Sequence, residues 1–328
     1  MPSLGLVVDE LNLPGTGFEA ACKSTYKVLM KKAFNKHLVP TAKFNVFKKA
    51  DEALGFCYRL GFPVMIKAAD SSGSRGITKV SLSEEFEFAW NRAFKVSRSK
   101  EIIVEQFLDG IKYGAEAVVH GNKVVAVFLH GDSVSPAPFI TMIGHSMPVS
   151  FSHELQLKTE KVIEKAVIAL GIRDCVSNAD IMLVDNEPIL IEIAARMGAT
   201  CLPEIISIYY GYNFYEHLIR LATGEHPQIT VVVKQPNACL LLQSDKTGIV
   251  SKIDIPDEVL NHPNLIDLHI DVVVGEEVNA FQVGPDRIGH IIVKEDTAIQ
   301  AEELVTRFAE KVSIEVNTGK KSLTCLTP

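Results

Sequence analysis

The spacing of apolar residues near the start of the chain predicts a helix with one dry face. Between Lys23 and Leu38 the apolar positions recur at helical intervals: Tyr26, Leu29, Met30, Ala33 and Phe34. This spacing matches the 3.6-residue period of an amphipathic helix, and Pro40 ends it. Four lysines are expected on its wetter side: Lys27, Lys31, Lys32 and Lys36.

A strand, a loop of small residues and a second strand follow. Pro63–Ala68 and Ile77–Val80 are short apolar runs of the kind that form buried strands. Between them, residues 70–76 read DSSGSRG, and their glycines and serines favour a flexible turn. The segment therefore predicts a hairpin with a mobile tip. A helix is expected to begin close to Ser81 or Ser83 and to run towards Ser97.

The middle of the chain alternates between strand signals and long helical patterns. Strands are predicted at 102–107, 115–120, 123–129, 177–184 and 188–193, and helices at 152–170 and 203–222. After residue 226 the pattern changes to short strands rich in Val, Ile and Leu, with one helix near 297–312. These elements predict an α+β fold with a boundary near residue 226 and a separate C-terminal α+β lobe.

The composition is that of a globular protein large enough for two domains. The chain has 328 residues, 47% of them hydrophobic, and it lacks an uncharged apolar run of about 18 residues that could span a membrane. Met1–Leu13 contains two acidic residues and no basic segment, unlike a secretory signal. We therefore expect a soluble, cytoplasmic protein. Six dispersed cysteines without a CxxC pair disfavour disulfides and structural zinc.

The charge is distributed unevenly along the chain. The net charge is -7, but residues 1–100 hold 16 Lys and Arg against 9 Asp and Glu. An acidic protein is a poor binder of nucleic acid, whereas a locally basic region can hold a small polyanion. Solvated helix faces would also explain this asymmetry.

Familiar nucleotide and hydrolase motifs are missing or weak. Residues 15–20, GTGFEA, fit a dinucleotide-binding pattern, but Asn12-Leu13-Pro14 precedes them where a hydrophobic strand is needed. An ordinary turn is the favoured interpretation. The sequence has no GxxxxGK[ST] loop and no GxSxG elbow.

Lys67 and the loop after it form the first candidate site. The lysine ends a buried strand, and the backbone N–H groups of a glycine-rich loop can wrap a triphosphate while a lysine neutralises it. In this interpretation Lys67 is an unpaired charge. The alternative is a surface hairpin whose lysine extends into water.

The second candidate site lies on two neighbouring strands. Asp180 and Glu192 interrupt apolar strands, and a hard cation that bridges the two carboxylates to phosphate oxygens would compensate their burial. Arg196 has the same parity as Glu192 and can reach a transferred phosphoryl group. A structural ion pair between Arg196 and one of the acids is the alternative.

In this order along the chain, the parts resemble the ATP-grasp superfamily. The matching parts are Lys27, Lys67 with its loop, Ile103–Leu108, Asp180, and Glu192 with Arg196. The resemblance covers about residues 20–225 and is nearest to the branch with L-amino acid ligases, carbamoyl-phosphate synthetase and biotin carboxylase. It implies the ATP-grasp fold, in which two α+β subdomains grip ATP. It also implies a ligase that activates a carboxylate as an acyl phosphate for attack by an amine.

The resemblance implies a role for each matching residue. Lys27 and Lys67 would bind the α- and β-phosphates of ATP, and Lys67 and Arg196 would be catalytic. Asp180 and Glu192 would hold Mg²⁺ or Mn²⁺. The loop that closes on the triphosphate would consist of Ser71, Ser72, Gly73, Ser74, Arg75 and Gly76. The adenine hinge would consist of Glu105, Gln106, Phe107 and Leu108, and Glu116 matches an acidic position in the next strand.

The chain departs from the family pattern at three places. Ala194 stands where many relatives have a metal-binding Asn, and Lys112 stands where they often have a ribose-binding Glu. The N-terminal Rossmann-like domain of the family is largely absent, with residues 1–22 as its remnant. The ATP-grasp domain would then span 23–225, with a lid at about 51–108, and the C-terminal lobe 226–328.

Other residues and functions stay open. His145, expected in the loop between Ser135 and Pro148, is a candidate for substrate or phosphate contact, and Arg287 is either a residue that closes the site or a surface turn residue. Small carboxylate and amine substrates are expected, and neither nucleic acid nor membrane. The alternatives are a kinase, or a non-catalytic or split subunit. A homodimer, or a missing domain supplied by another chain, would fit the short N-terminus.

Overall fold

The computed structural model describes residues 1–136, 141–225, 229 and 234–318, and it begins with three helices. They are α1 (Pro2–Glu10), α2 (Phe18–Lys23) and α3 (Lys27–Lys36). The helix predicted between Lys23 and Leu38 is confirmed as α3, but it begins only at Lys27, because the chain turns at 24–26. There the hydroxyls of Ser24 and Thr25 donate to the Ala21 carbonyl, a local bond that competes with helix continuation.

The turn before α2 excludes the dinucleotide motif. Gly15 and Gly17 follow helix α1 and not a strand, so the expected ordinary turn is confirmed. Helix α3 also differs from the prediction in its environment, because Lys27 and Lys31 are buried and not on a wet face.

The next segment forms a small layer of one sheet and two helices. Its elements are β1 (Phe44–Phe47), α4 (Ala50–Leu60), β2 (Val64–Ala68), β3 (Ile77–Val80), α5 (Phe86–Val96) and β4 (Ile102–Gln106). The antiparallel sheet has the order β1-β4-β2-β3, and both helices pack on it around Trp90. The predicted hairpin is confirmed, with Val64 opposite Val80 and Lys67 opposite Ile77.

A long antiparallel sheet forms the centre of the molecule. Its strands and associated helices are β5 (Ile111–His120), β6 (Lys123–Val134), β7 (Met142–Met147), α6 (His153–Leu170), β8 (Cys175–Val184), β9 (Glu187–Ala194), α7 (Leu202–Tyr210) and α8 (Phe214–Ala222). Helices α3 and α6 pack on one face of the sheet, and α7 and α8 pack on the other. Helix α6 is confirmed, with Ser152 as its N-cap and Gly171 as its left-handed end.

The predictions for this central region were wrong in three ways. Strand β5 starts four residues earlier than expected and β6 ends five residues later, since the polar residues that they carry are paired inside the sheet. Strand β7 lies where a loop was expected. The helix predicted at 203–222 is two helices, because Gly211 adopts a left-handed conformation and Asn213 caps a new helix.

The C-terminal segment adds strands to the central sheet. Its elements are β10 (Asn237–Leu242), β11 (Gly248–Asp254), α9 (Asp257–Leu260), β12 (Leu265–Ile270), β13 (Glu277–Val278), β14 (Gly289–Lys294), α10 (Ala298–Lys311) and β15 (Ser313–Asn317). Strand β10 pairs with β7, and the sheet has the order β12-β14-β10-β7-β6-β5-β8-β9. A second sheet has the order β13-β11-β15. Residues 226–228, at the expected domain boundary, and Pro138 lie outside the described residues.

The central sheet therefore continues across the expected boundary through β10, β14 and β12, whereas β11, β13 and β15 form a sheet of their own and the C-terminal segment has its own hydrophobic core. Helix α10 is confirmed, with Thr297 as its N-cap. Among the described residues, the structure has no helix both long enough and apolar enough to cross a membrane.

A buried group of charges joins α3 to the small layer. The Glu105 carboxylate of β4 lies 2.6 Å from the Lys67 ammonium of β2 and 3.3 Å from the Lys31 ammonium of α3. Lys31 also donates to the Thr41 hydroxyl, which in turn donates to the Leu190 carbonyl of β9. Since buried charges are tolerated only when paired, these contacts fix where the small layer sits against the central sheet.

Lys31→Ala should therefore destabilise the fold strongly. It leaves the buried Glu105 with one cation instead of two, and we expect the free energy of unfolding to fall by about 3 kcal/mol. Denaturant unfolding followed by circular dichroism measures this change. The matched control is Lys23→Ala, which removes an ion pair with the exposed Glu19 and should leave the midpoint nearly unchanged. Equal midpoints for the two variants would contradict this role of Lys31.

Candidate functional site

A cavity of about 650 Å³ lies between residues 71–76, which we call the glycine loop, the central sheet and the C-terminal segment. It brings together residues that are far apart in sequence. Of the predicted site residues, six line it: Gly73, Ser74, His145, Asp180, Glu192 and Arg196. The other predicted site residues are not among those that line it: Lys27, Lys67, Ser71, Ser72, Arg75, Gly76, Glu105–Leu108 and Glu116.

Asp180 and Glu192 face each other across two strands. They are register partners on β8 and β9, and each carboxylate already has a lysine partner. Asp180 lies 3.2 Å from the Lys112 ammonium, and Glu192 lies 3.1 Å from that of Lys27. Lys27 holds the pKa of Glu192 down at about 2, although burial acts in the opposite direction. Two carboxylates at one cavity wall are the oxygen donors that a hard divalent cation such as Mg²⁺ prefers, so the residues fit such an ion.

Lys27 connects the glycine loop to this acidic pair. Its ammonium donates to the Ser71 carbonyl at 2.9 Å while it pairs with Glu192. Burial lowers the pKa of Lys27, but the Glu192 carboxylate outweighs this effect and the net pKa is raised. The lysine is therefore a fixed positive charge between the loop and the proposed metal ligands.

Lys67 is paired, contrary to the expectation of a free charge. Glu105 accepts a hydrogen bond of 2.6 Å from its ammonium, and both side chains are buried. Burial raises the pKa of Glu105, but Lys67 and Lys31 together overcome this and lower it. An ammonium has three donors, so the contact with Glu105 leaves two for another anion.

The expected adenine hinge divides into buried and accessible residues. The Glu105 side chain points into the lysine cluster, whereas Gln106 is exposed. The Lys79 ammonium lies 3.9 Å from the centre of the Phe107 ring. Phe107 and Leu108 are half-buried.

The glycine loop has a defined internal hydrogen-bond pattern. Gly73, Ser74 and Gly76 all have positive φ angles, of 64°, 59° and 71°. The Ser71 hydroxyl donates to the Arg75 carbonyl, and the Arg75 Nε donates to the Ser72 carbonyl at 3.0 Å. These bonds leave Gly73 and Ser74 on the cavity wall.

Arg196 follows the end of β9 and is exposed at the cavity. One of its guanidinium nitrogens donates to the Met197 carbonyl at 2.8 Å. The alternative interpretation, an ion pair between Arg196 and one of the two acids, is not found among the ion pairs of the described residues. Its charge therefore faces the cavity.

Glu116 supports the turn after Arg196 and does not line the cavity. Its carboxyl group accepts from the Asn178 amide at 2.5 Å and from the Gly198 N–H at 3.2 Å. Complete burial raises the pKa of Glu116 to about 8, although both hydrogen bonds lower it. A Cβ on Gly198 would clash with this carboxyl group, which explains the glycine.

A second buried cluster, which the sequence did not indicate, surrounds Asp132. Its Oδ1 lies 2.9 Å from His130 Nδ1 and 2.8 Å from His145 Nδ1, and its Oδ2 lies 2.7 Å from the Lys112 ammonium. His145 is on strand β7 and not in a loop, so that expectation was wrong. Its pKa is lowered by burial, against the effect of Asp132.

Asp132 stays ionised in this cluster. Burial alone would raise its pKa, but Lys112 and His130 hold it well below the usual range. The ring of His130 lies against Gly114, where a Cβ would overlap it. The two histidines and Asp132 have three possible metal ligands within 4.8 Å of one another. Asp132 is completely buried and both of its oxygens already accept hydrogen bonds, so this cluster has no open position for a divalent cation.

The C-terminal segment supplies the far wall of the cavity. Arg287 lies there and pairs with Asp271 at 3.0 Å, so it is half-exposed at the cavity and not an isolated surface residue. His130 and Asp132 were the residues that sequence reasoning missed, and Lys112 was considered only at a ribose-binding position. The only signal was the presence of polar residues inside apolar strands, whose partners cannot be read from spacing.

Glu116→Gln should change how stability depends on pH. The folded protein holds the Glu116 proton up to about pH 8, whereas the unfolded chain releases it at the ordinary carboxyl pKa. Stability therefore falls as pH rises between these values. We expect the wild type to lose about 1 to 4 kcal/mol more than Glu116→Gln between pH 5 and 8, measured by denaturant unfolding.

Glu84→Gln, at an exposed position, serves as the control for a change in net charge. Its pH dependence should follow that of the wild type. Parallel curves for wild type and Glu116→Gln would show that Glu116 is ionised in the folded protein.

Sequence and structure comparisons support the predicted resemblance. The profile of the ATP-grasp domain matches residues 60–204, and that of the L-amino acid ligase C-terminal domain 2 matches residues 240–317. The crystal structure of an L-amino acid ligase from Bacillus licheniformis superposes with a TM-score of 0.81, at 21% identity, covering 97% of this chain and 78% of that one.

Curated relatives are distant in sequence. A D-alanine–D-alanine ligase of Desulforamulus reducens is 26% identical, with 66% of this chain and 75% of the relative covered. The alanine–anticapsin ligase of Bacillus subtilis strain 168 is 26% identical, with 61% and 47% covered. The chain thus spans about half to three-quarters of the length of these relatives. Residues 60–204 are therefore identified as an ATP-grasp domain, and residues 240–317 as an L-amino acid ligase C-terminal domain 2.

Proposed function

We propose that this protein is an ATP- and Mg²⁺-dependent ligase that activates a carboxylate as an acyl phosphate and joins it to an amine. ADP and phosphate would be the other products. The observation that carries the proposal is the convergence of Asp180, Glu192 and Arg196 with the glycine loop on one cavity. Phosphoryl transfer requires mainly positioned positive charge around the phosphates and a site that excludes water, and this cavity offers the charge.

The positive charges would be divided between the α- and β-phosphates of ATP and the acyl phosphate. Lys27 and Lys67 would bind the α- and β-phosphates, each with donors left over from its present carboxylate partner. The loop 71–76 would supply N–H groups, and residues 105–108 would hold the adenine. Arg196 would stabilise the acyl phosphate, since its guanidinium already faces the cavity.

The metal would add charge neutralisation at the transferred phosphoryl group. Asp180 and Glu192 would hold Mg²⁺ or Mn²⁺ through their carboxylate oxygens. Ala194 offers no further ligand at the end of β9, so water and phosphate oxygens would complete the coordination.

The cavity favours small, charged substrates. His145 and Arg287 also line it and would bind the acid or the amine. The names of the relatives describe ligases of alanine and of D-alanine. We therefore propose amino acids as the substrate class for at least one of the two sites.

An ADP-release assay against a panel of amino acids and small carboxylates, with mass analysis of the products, tests this function. We expect ADP to form only when an acid and an amine are both present, together with a new amide. The double variant Asp180→Asn/Glu192→Gln should lose turnover and keep its fold, because it removes both proposed metal ligands.

Two other outcomes would contradict a ligase. Phosphorylation of an acceptor without an amine would indicate a kinase. ATP binding without turnover over the whole panel would indicate a non-catalytic or split subunit. Turnover at the wild-type rate in the double variant would remove Asp180 and Glu192 from the metal site.

A further inference from the structure

The two carboxylates proposed as metal ligands have lysine partners of different kinds. Asp180 pairs with Lys112, whose ammonium also contacts Asp132. Glu192 pairs with Lys27, whose other contact is the neutral Ser71 carbonyl. Lys112 is therefore shared by two negative charges, whereas Lys27 has one.

Lys112 is held in place by carboxylates from the strands on both sides of it. It lies on β5, between Asp132 on β6 and Asp180 on β8, so both carboxylates come from the strands that flank it. The Asp132 side chain is 0% exposed, so water cannot replace Lys112 as the partner of its negative charge. Withdrawal of Lys112 would leave a fully buried carboxylate with only two histidines as partners, which is strongly unfavourable.

Lys27 can change partners more easily. The negative charge of a polyphosphate at the glycine loop would replace that of Glu192, and the Ser71 carbonyl could remain a partner. Glu192 would then be free to bind a cation. No comparable exchange is open to Lys112, because its second carboxylate lies inside the sheet and away from the loop.

We propose that the Lys112 ammonium is a resident cation that neutralises Asp180, so that the divalent ion of this site is held chiefly by Glu192 and phosphate oxygens. The inference rests on the proposed function for the nucleotide, and it assigns the two acids unequal roles. It also gives Lys112 a function unrelated to ribose. Asp132 is then a positioning residue that acts through Lys112.

Mn²⁺ binding measured by electron paramagnetic resonance tests this division of roles. The titrations use Mn²⁺ alone and Mn²⁺ with saturating AMP-PNP, a non-hydrolysable ATP analogue. In the complex, Glu192→Gln should weaken Mn²⁺ binding at least tenfold, whereas Asp180→Asn should change it by less than about threefold. Removal of the resident cation in Lys112→Met should create a site that binds Mn²⁺ at least tenfold more tightly than wild type without nucleotide.

The charge of Lys112, and its partner Asp180, are tested by two further variants. Lys112→Arg keeps the charge and should bind Mn²⁺ as the wild type does. Lys112→Met/Asp180→Asn should lose the gain of the single variant, because one of the two released carboxylates is gone. Circular dichroism and thermal unfolding show whether each variant is folded.

Equal losses in Asp180→Asn and Glu192→Gln would overturn the proposal, even if Lys112→Met does not fold. A folded Lys112→Met that binds Mn²⁺ no better than wild type would also overturn it. Failure of the ligase proposal has a different signature, namely no ADP release that depends on an amine, whereas absence of AMP-PNP binding to any variant would remove the nucleotide site itself. The titration of Lys112→Met without nucleotide still decides the role of Lys112 in that case.

Discussion

The position of every part of the cavity depends on one constraint, which is that a buried charge requires a partner of opposite sign. Glu105 meets this constraint between Lys31 and Lys67, and these three residues come from a helix and two strands. Because Lys31 also reaches the central sheet through Thr41, the small layer cannot slide without breaking a buried pair. Lys67, which is proposed to bind phosphate, is thus positioned by the same contacts that join the small layer to the central sheet.

The same constraint recurs in the central sheet. Lys112 and Asp132 lie inside two long, mainly apolar strands, and their ion pair lets β5 and β6 continue past these charges. The cluster also connects His145 to Asp180, and both line the cavity. Charges that would be costly alone therefore serve as a framework that presents a limited set of groups to the substrate.

Local pattern was enough to predict much of the fold. The hairpin of β2 and β3, helix α6 and helix α10 follow from apolar period, caps and turn residues within each segment. The placement of Asp180 and Glu192 on neighbouring strands also follows, because a short turn joins β8 to β9. Their direct pairing depends on a register shift between Asp180 and Ile181 that the turn does not predict. Each motif is weak evidence by itself, but the order of the site residues along the chain is specific. That order led to the ATP-grasp resemblance.

The errors share a cause in contacts between distant segments. Lys31 looked like a solvated helix lysine because its partner Glu105 is 74 positions further along the sequence. Strand β7 and the joining of β10 to it depend on pairing across nearly 100 residues, which no local pattern contains. Lys112 was weighed only as a substitute for a ribose ligand, since nothing near it in sequence shows that Asp132 lies beside it.

The paired state of Lys67 makes one measurement decisive for the site as a whole. Calorimetric titration of ATP with Mg²⁺ into wild type and Lys67→Ala measures what this ammonium contributes to nucleotide binding. A charge-assisted contact contributes about 1.5 to 3 kcal/mol, so we expect affinity to fall roughly 10- to 100-fold. Lys48→Ala, at an exposed lysine of the same layer, should bind ATP as the wild type does. Equal dissociation constants for wild type and a folded Lys67→Ala would contradict the assignment of the buried lysine cluster to ATP.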